Sequence, residues 1–154
     1  MDKNKIDFVL IEFPAKLKAL NPETKGMWGK MNVHQMIEHM IDSIKEANGK
    51  IPRTLVTAPE RLQAMQDFLR SEKEFKPNTK NVLMGEDPVP VRHVSVANAI
   101  AELEEELKDF EKHFKANPNS RITNAFFGDL NYDEWVQLMH KHSMHHLKQF
   151  GGDI

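Results

Sequence analysis

Val96, Ile100, Leu103, Leu107, Phe110 and Phe114 recur at alternating steps of four and three residues, with glutamates and lysines between them. Steps of that kind return to one side of a 3.6-residue helix, so the spacing predicts an amphipathic helix with one apolar and one solvated face. Such a helix is stable only when its apolar face is covered. A chain of 154 residues is long enough to supply that cover from its own other helices without disulfides, of which it has none for want of cysteine.

The remaining punctuation supplies those partners. Ile6, Val9, Leu10, Phe13, Leu17 and Leu20 repeat the helical spacing, with Pro14 expected to kink or divide the helix and Asn21-Pro22 to end it. Asn32 and Gln35 form a capping box that opens a helix from about Val33 to Asn48, closed by Gly49. Thr57 and Glu60 read as a second box around Pro59, for a shorter helix bearing Leu62, Met65, Phe68 and Leu69. Asn131 and Glu134 open a last helix reaching Phe150 and stopped by Gly151 and Gly152. Between Phe75 and His93, Pro77, Gly85, Pro88 and Pro90 predict an extended crossing loop. The expectation is an all-α fold, an antiparallel four-helix bundle with a long crossing loop, in one domain spanning residues 1–154.

Composition narrows the function. A net charge of -2 with no clustered basic stripe argues against a nucleic-acid partner. The longest apolar run near the start, Phe8 to Ile11, is broken by Glu12, and nothing later approaches the roughly 20 apolar residues of a membrane span. No membrane partner and a cytoplasmic location are therefore expected. The absence of cysteine removes thiolate catalysis, zinc-thiolate sites and disulfides, leaving nitrogen and oxygen as metal ligands.

Four of the eight histidines, His140, His142, His145 and His146, fall within seven positions. At about 100° per residue, Trp135, Leu138, Met139, His142, His146 and Gln149 share one stripe, His140 points to the opposite side and His145 lies at the edge. His142 and His146 thus form an i, i+4 pair on the buried face, a spacing at which two imidazoles of one helix can share a metal. The competing reading is a core histidine bonded to a neighbour. A third ligand must come from another helix, and His39 borders the apolar face of Val33, Met36, Met40 and Ile44, whereas His34 is expected to project toward solvent. Asp42, Glu46 and Gln149 sit a turn or two away, where they could orient an imidazole or a bound water or remain solvated. His93 and His113 have no such context.

Two segments carry a resemblance. Trp28-Gly29-Lys30-Met31-Asn32-Val33-His34-Gln35-Met36 leads to His39, and Phe126-Phe127-Gly128 leads through Glu134-Trp135 to His142, His145, His146, Gln149 and Gly151. With these signatures the chain resembles the DinB/YfiT-like superfamily, in a branch of uncharacterised bacterial proteins, over most of its length and least from Ile51 to Val94. The resemblance implies a four-helix bundle with a divalent metal on three histidines, one from the second helix and two from the last in the pattern H-x-x-x-H-x-x-Q. His39, His142, His146 and Gln149 match it position by position. It further implies activation of a low-molecular-weight thiol, such as mycothiol or bacillithiol, for transfer or isomerisation, or else metal-dependent hydrolysis. His145 departs from the common form and leaves open an alternative pair, His142 with His145.

Three neutral imidazoles leave a metal position free for a small-molecule substrate. They suit zinc, nickel, iron or copper. Glu38, Asp42 and Glu46 are positional candidates for a general base. A di-iron carboxylate centre is disfavoured because no histidine has a glutamate three residues before it. The alternative is a non-catalytic metal- or ligand-binding bundle acting as a homodimer.

Overall fold

The computed structural model describes residues 3–78, 81, 83–85 and 87–152. Helices α1 (Lys3–Asp7) and α2 (Phe13–Ala19) flank a π-helical turn, Phe8–Glu12, so the backbone stays helical straight through Pro14. Pro14 has no N–H to give the Leu10 carbonyl, and its ring would crowd that carbonyl in an α-helix. The widened turn, in which the Phe13 N–H reaches back to the Phe8 carbonyl, absorbs both demands. The expected division at Pro14 is therefore a local change of pitch, and the helix ends at the extended Leu20, ahead of Asn21-Pro22.

Helix α3 (Val33–Ala47) begins at the Asn32 box, with the Gln35 N–H on Asn32 Oδ1 at 2.7 Å and the Asn32 N–H on Gln35 Oε1 at 2.9 Å. Helix α5 (Val96–Ala116) buries Ile100, Leu103, Leu107, Phe110 and Phe114, the stripe its spacing predicts, and packs along α3. Helix α6 (Tyr132–Gln149) begins at the Asn131 box and ends before Gly151, whose φ of +68° suits a residue without Cβ.

Helix α4 (Pro59–Arg70) departs from expectation at its start. Pro59 occupies the first helical position and moves the cap to Ala58, which has no side-chain acceptor. Thr57 instead donates its hydroxyl to the Phe126 carbonyl at 2.7 Å, and the Val56 N–H reaches the Ala125 carbonyl at 2.7 Å. Their target is a feature the all-α expectation lacks. Strands β1 (Ile122–Asn124) and β2 (Gly128–Leu130) form a small antiparallel sheet with Ile122 opposite Leu130 and Asn124 opposite Gly128. Asn124 Oδ1 accepts the N–H groups of Phe126 and Phe127 and shapes the turn, and Gly128 supplies a φ of +80°. The structure is thus mostly helical with one two-stranded sheet, which Trp135 fastens to α6 by donating its indole N–H to the Ile122 carbonyl at 3.1 Å.

The described residues of the segment from Phe75 to His93 contain no helix or strand, in line with a crossing loop. The α3 and α6 helices contact one another, and α6 also meets α1, the π turn and α4. No helix among the described residues is long and apolar enough to cross a membrane.

Candidate metal centre

Helix α3 presents His39 to α6 because Met36, Met40 and Ile44 of the same face are buried and fix its rotation. Helix α6 does the same for His142 and His146 through buried Trp135, Leu138, Met139 and Leu147. His39 and His142 approach through their Nε2 atoms at 3.1 Å, and the Nε2 atoms of His142 and His146 at 2.9 Å. One ring nitrogen from each of the three falls within 4.8 Å of the others, and Asp42 and His145 are outside this group. Nitrogens bound at ~2.0–2.1 Å to a tetrahedral ion would lie ~3.3 Å apart, so the His39–His142 and His142–His146 separations need only a small expansion to admit one.

Charge points the same way. Burial holds His39 down to about 4 and His146 down to about 3, with Asp42 opposing the shift at His39 and the Gln149 bond opposing it at His146. Burial, together with the neighbouring His146 and His39, pushes His142 well below its ordinary value. All three rings are neutral at pH 7, the state in which imidazole offers a lone pair.

Gln149 sets which nitrogen carries that lone pair. Its Oε1 accepts the Nδ1–H of His146 at 2.7 Å, which leaves Nε2 unprotonated toward the other two rings. Its amide then donates to the Trp28 carbonyl at 2.9 Å, and its own carbonyl accepts the Met27 N–H at 2.7 Å. A Cβ on Gly29, at φ +75°, would meet Gln149 Nε2 at 2.9 Å, so glycine is what allows this approach.

The other residues singled out in the sequence are placed differently. His145 packs its ring on Trp28 and Phe75, with centroids at 5.2 and 5.9 Å. Asp42 pairs with Arg92 at 2.9 Å, and Glu46 with Arg53 at 3.0 Å. Far from projecting into solvent, His34 is half-buried and bonds Glu38 at 2.9 Å. Burial raises Glu38, but the backbone N–H groups of His93 and Arg92 and the His34 ring outweigh it and hold the carboxyl below its usual value. Glu38 is thus an anchor for the crossing loop and a poor proton acceptor. His93 joins the same anchorage through Glu102 at 2.6 Å. His140 meets Phe8 on another side of α6, and His113 bonds Ser120 at 3.2 Å.

Sequence reasoning did not place Trp28 or Phe75 at the site. Phe75 lies 6.2 Å from the His142 ring, centroid to centroid, and both aromatics line a cavity of about 570 Å³ beside the cluster. The two glycines flanking Trp28, Gly26 and Gly29, were the available signal of a tightly packed turn.

A family model described as the DinB superfamily matches residues 21–150, and the chain belongs to that superfamily. No curated protein and no solved structure matches the chain.

Proposed function

We propose that this member of the DinB superfamily holds one divalent metal ion on the Nε2 atoms of His39, His142 and His146 and uses it as a catalytic centre open to a small-molecule substrate. The observation that carries the reading is the convergence of three neutral imidazole nitrogens from two helices, with one of them oriented by Gln149. A closed structural site is built from four protein ligands, whereas three leave a position for substrate. The surrounding scaffold is, in this reading, an antiparallel four-helix bundle of the first helix, α3, α5 and α6, supported by the packing of α3 and α2 on α5 and of α6 on α3.

The ion, zinc, nickel or iron, would supply Lewis acidity, lowering the pKa of a low-molecular-weight thiol for transfer or isomerisation, or that of water for hydrolysis. A chain without cysteine can perform sulfur chemistry only with a thiol brought in this way. The chain's own residues do the rest. His39, His142 and His146 stay neutral through burial, and Gln149 keeps the His146 proton on Nδ1. His145, which burial holds below its ordinary value, stands beside His146 with ring centroids 5.0 Å apart and is the group placed to accept a proton.

Elemental analysis of untagged protein tests the reading. We expect about one equivalent of metal, lost in both His39→Ala and His142→Ala, as three-ligand sites require all their ligands. Protein that carries no metal and takes up neither zinc nor nickel would overturn it.

A further inference from the structure

The cavity beside the histidines opens between the turn at residues 26–29, the chain following α4 and the last turns of α6. At about 570 Å³ it falls in the range of small-molecule sites. Its walls include the rings of Trp28, Phe75 and His145. Two of these touch the cluster, Phe75 against His142 and His145 against His146, so one ring's thickness separates the cavity from the metal ligands.

Most charges at its edge already have partners. Lys148 meets Glu74, and Glu72 meets Lys5 at 2.7 Å. The Lys141 ammonium donates to the Ser71 and Lys73 carbonyls and lies 4.5 Å over the Phe68 ring. What the interior offers is flat aromatic surface, which favours stacking with a planar uncharged body over capture of an ion.

The Trp28 wall is not independent of the cluster. His146 donates to Gln149, Gln149 donates to the Trp28 carbonyl, and the Met27 N–H returns to the Gln149 backbone, at 2.7, 2.9 and 2.7 Å. A change in the orientation of His146 is therefore felt at Trp28 within two hydrogen bonds.

We propose that this cavity binds a small molecule with a flat, uncharged apolar body, and that the His146–Gln149–Trp28 relay couples its occupancy to metal loading of the three histidines. The coupling rests on the three-histidine reading given above; the cavity does not. Two discrete sites joined by a shared element must influence each other equally in both directions.

The test uses the full chain labelled with nitrogen-15, 2-naphthol as the flat probe and zinc as the metal. The chain has two tryptophans, and Trp135, bonded to the Ile122 carbonyl, serves as the internal control. We expect a saturable shift of the Trp28 indole N–H with Trp135 stationary. Zinc should change naphthol affinity by at least about fivefold, and naphthol should change zinc affinity by the same factor. Gln149→Glu keeps an acceptor for His146 Nδ1–H but loses the donor to Trp28, so the factor should fall to about one. Gly29→Ala strikes the same contact from the turn and serves if the first variant fails to fold. No saturable Trp28 shift overturns the cavity. Equal naphthol affinity with and without zinc overturns the coupling, and an undiminished factor in both variants overturns the relay. Naphthol binding by a protein that takes up no zinc strikes down the three-histidine reading, and the coupling with it, while leaving the cavity standing.

Discussion

The Glu38 carboxylate receives the backbone N–H of His93 at 2.9 Å, and its other oxygen takes the N–H of Arg92 at the same distance. One buried side chain thereby ties the crossing loop to the turn of α3 that carries His39. Glu38→Gln keeps the shape but turns one of the two accepting oxygens into an NH2 group, whose hydrogens then face one of the two backbone donors. We expect a loss of about 1–3 kcal/mol, the usual consequence of an unsatisfied buried polar group. Urea denaturation measures it, and an unchanged midpoint would mean that the loop is held by its other contacts.

Acid should unfold the metal-free protein in two stages. His39 and His146 are held to about 4 and about 3 from an ordinary value of 6.5, so between pH 6.5 and these values the unfolded chain binds protons that the folded chain refuses. Their stability contribution is complete above pH 6.5 and is lost as the pH falls toward 4 and 3. Glu38, Glu102 and Asp109 are lowered carboxyls, whose contribution is present above their ordinary values and disappears only in stronger acid. The urea midpoint of chelator-treated protein, followed from pH 7.5 downward, should decline from about pH 6.5, where free histidine titrates. A midpoint flat to pH 4.5 would contradict the burial of these rings.

Two glycines of similar backbone offer a paired comparison. Gly29 has φ +75° with Gln149 Nε2 at 2.9 Å from the position of a Cβ, whereas at Gly49, φ +85°, the nearest atom is Ile122 Cδ1 at 3.7 Å. Alanine at either costs about 1–2 kcal/mol through the left-handed backbone alone. Only Gly29→Ala should also weaken zinc binding, because it displaces the residue that orients His146. Titration calorimetry on both variants distinguishes them, and equal zinc affinities would sever Gly29 from the site.

Losing the caps should be graded by what each helix carries. Asn131→Ala removes the acceptor for the Glu134 N–H at 2.9 Å and should lower stability by about 0.5–2 kcal/mol. Ala58→Ser, which supplies a side-chain acceptor to a helix start that lacks one, should raise it by a comparable amount. Thermal unfolding of the two variants checks the opposite signs.

The parts of this architecture that could be read in advance are those whose causes lie within one turn of helix. The stripe from Val96 to Phe114, the boxes at Asn32 and Asn131, and the shared face of His142, His146 and Gln149 all follow from 3.6-residue spacing. What escaped depends on residues far apart. Glu38 meets partners more than fifty positions away, and helical spacing offered His39 as a candidate partner for His142 but could not bring two helices 103 positions apart together. The strands Ile122–Asn124 and Gly128–Leu130 are three residues each, too short to show an alternating pattern. At Thr57, a local motif matched but Pro59 had already taken the first helical position.

His39 and His142 stand 103 positions apart in the chain, with Nε2 atoms 3.1 Å from each other. A single ion shared between them would close a loop of that length, the topological service a disulfide performs in chains that possess cysteine. For a loop of ~100 residues, tying the ends restricts the unfolded chain by roughly 4–5 kcal/mol. The same three imidazoles would then act as a clasp between α3 and α6, and metal supply in the cell would govern how long the molecule survives as well as what it can do.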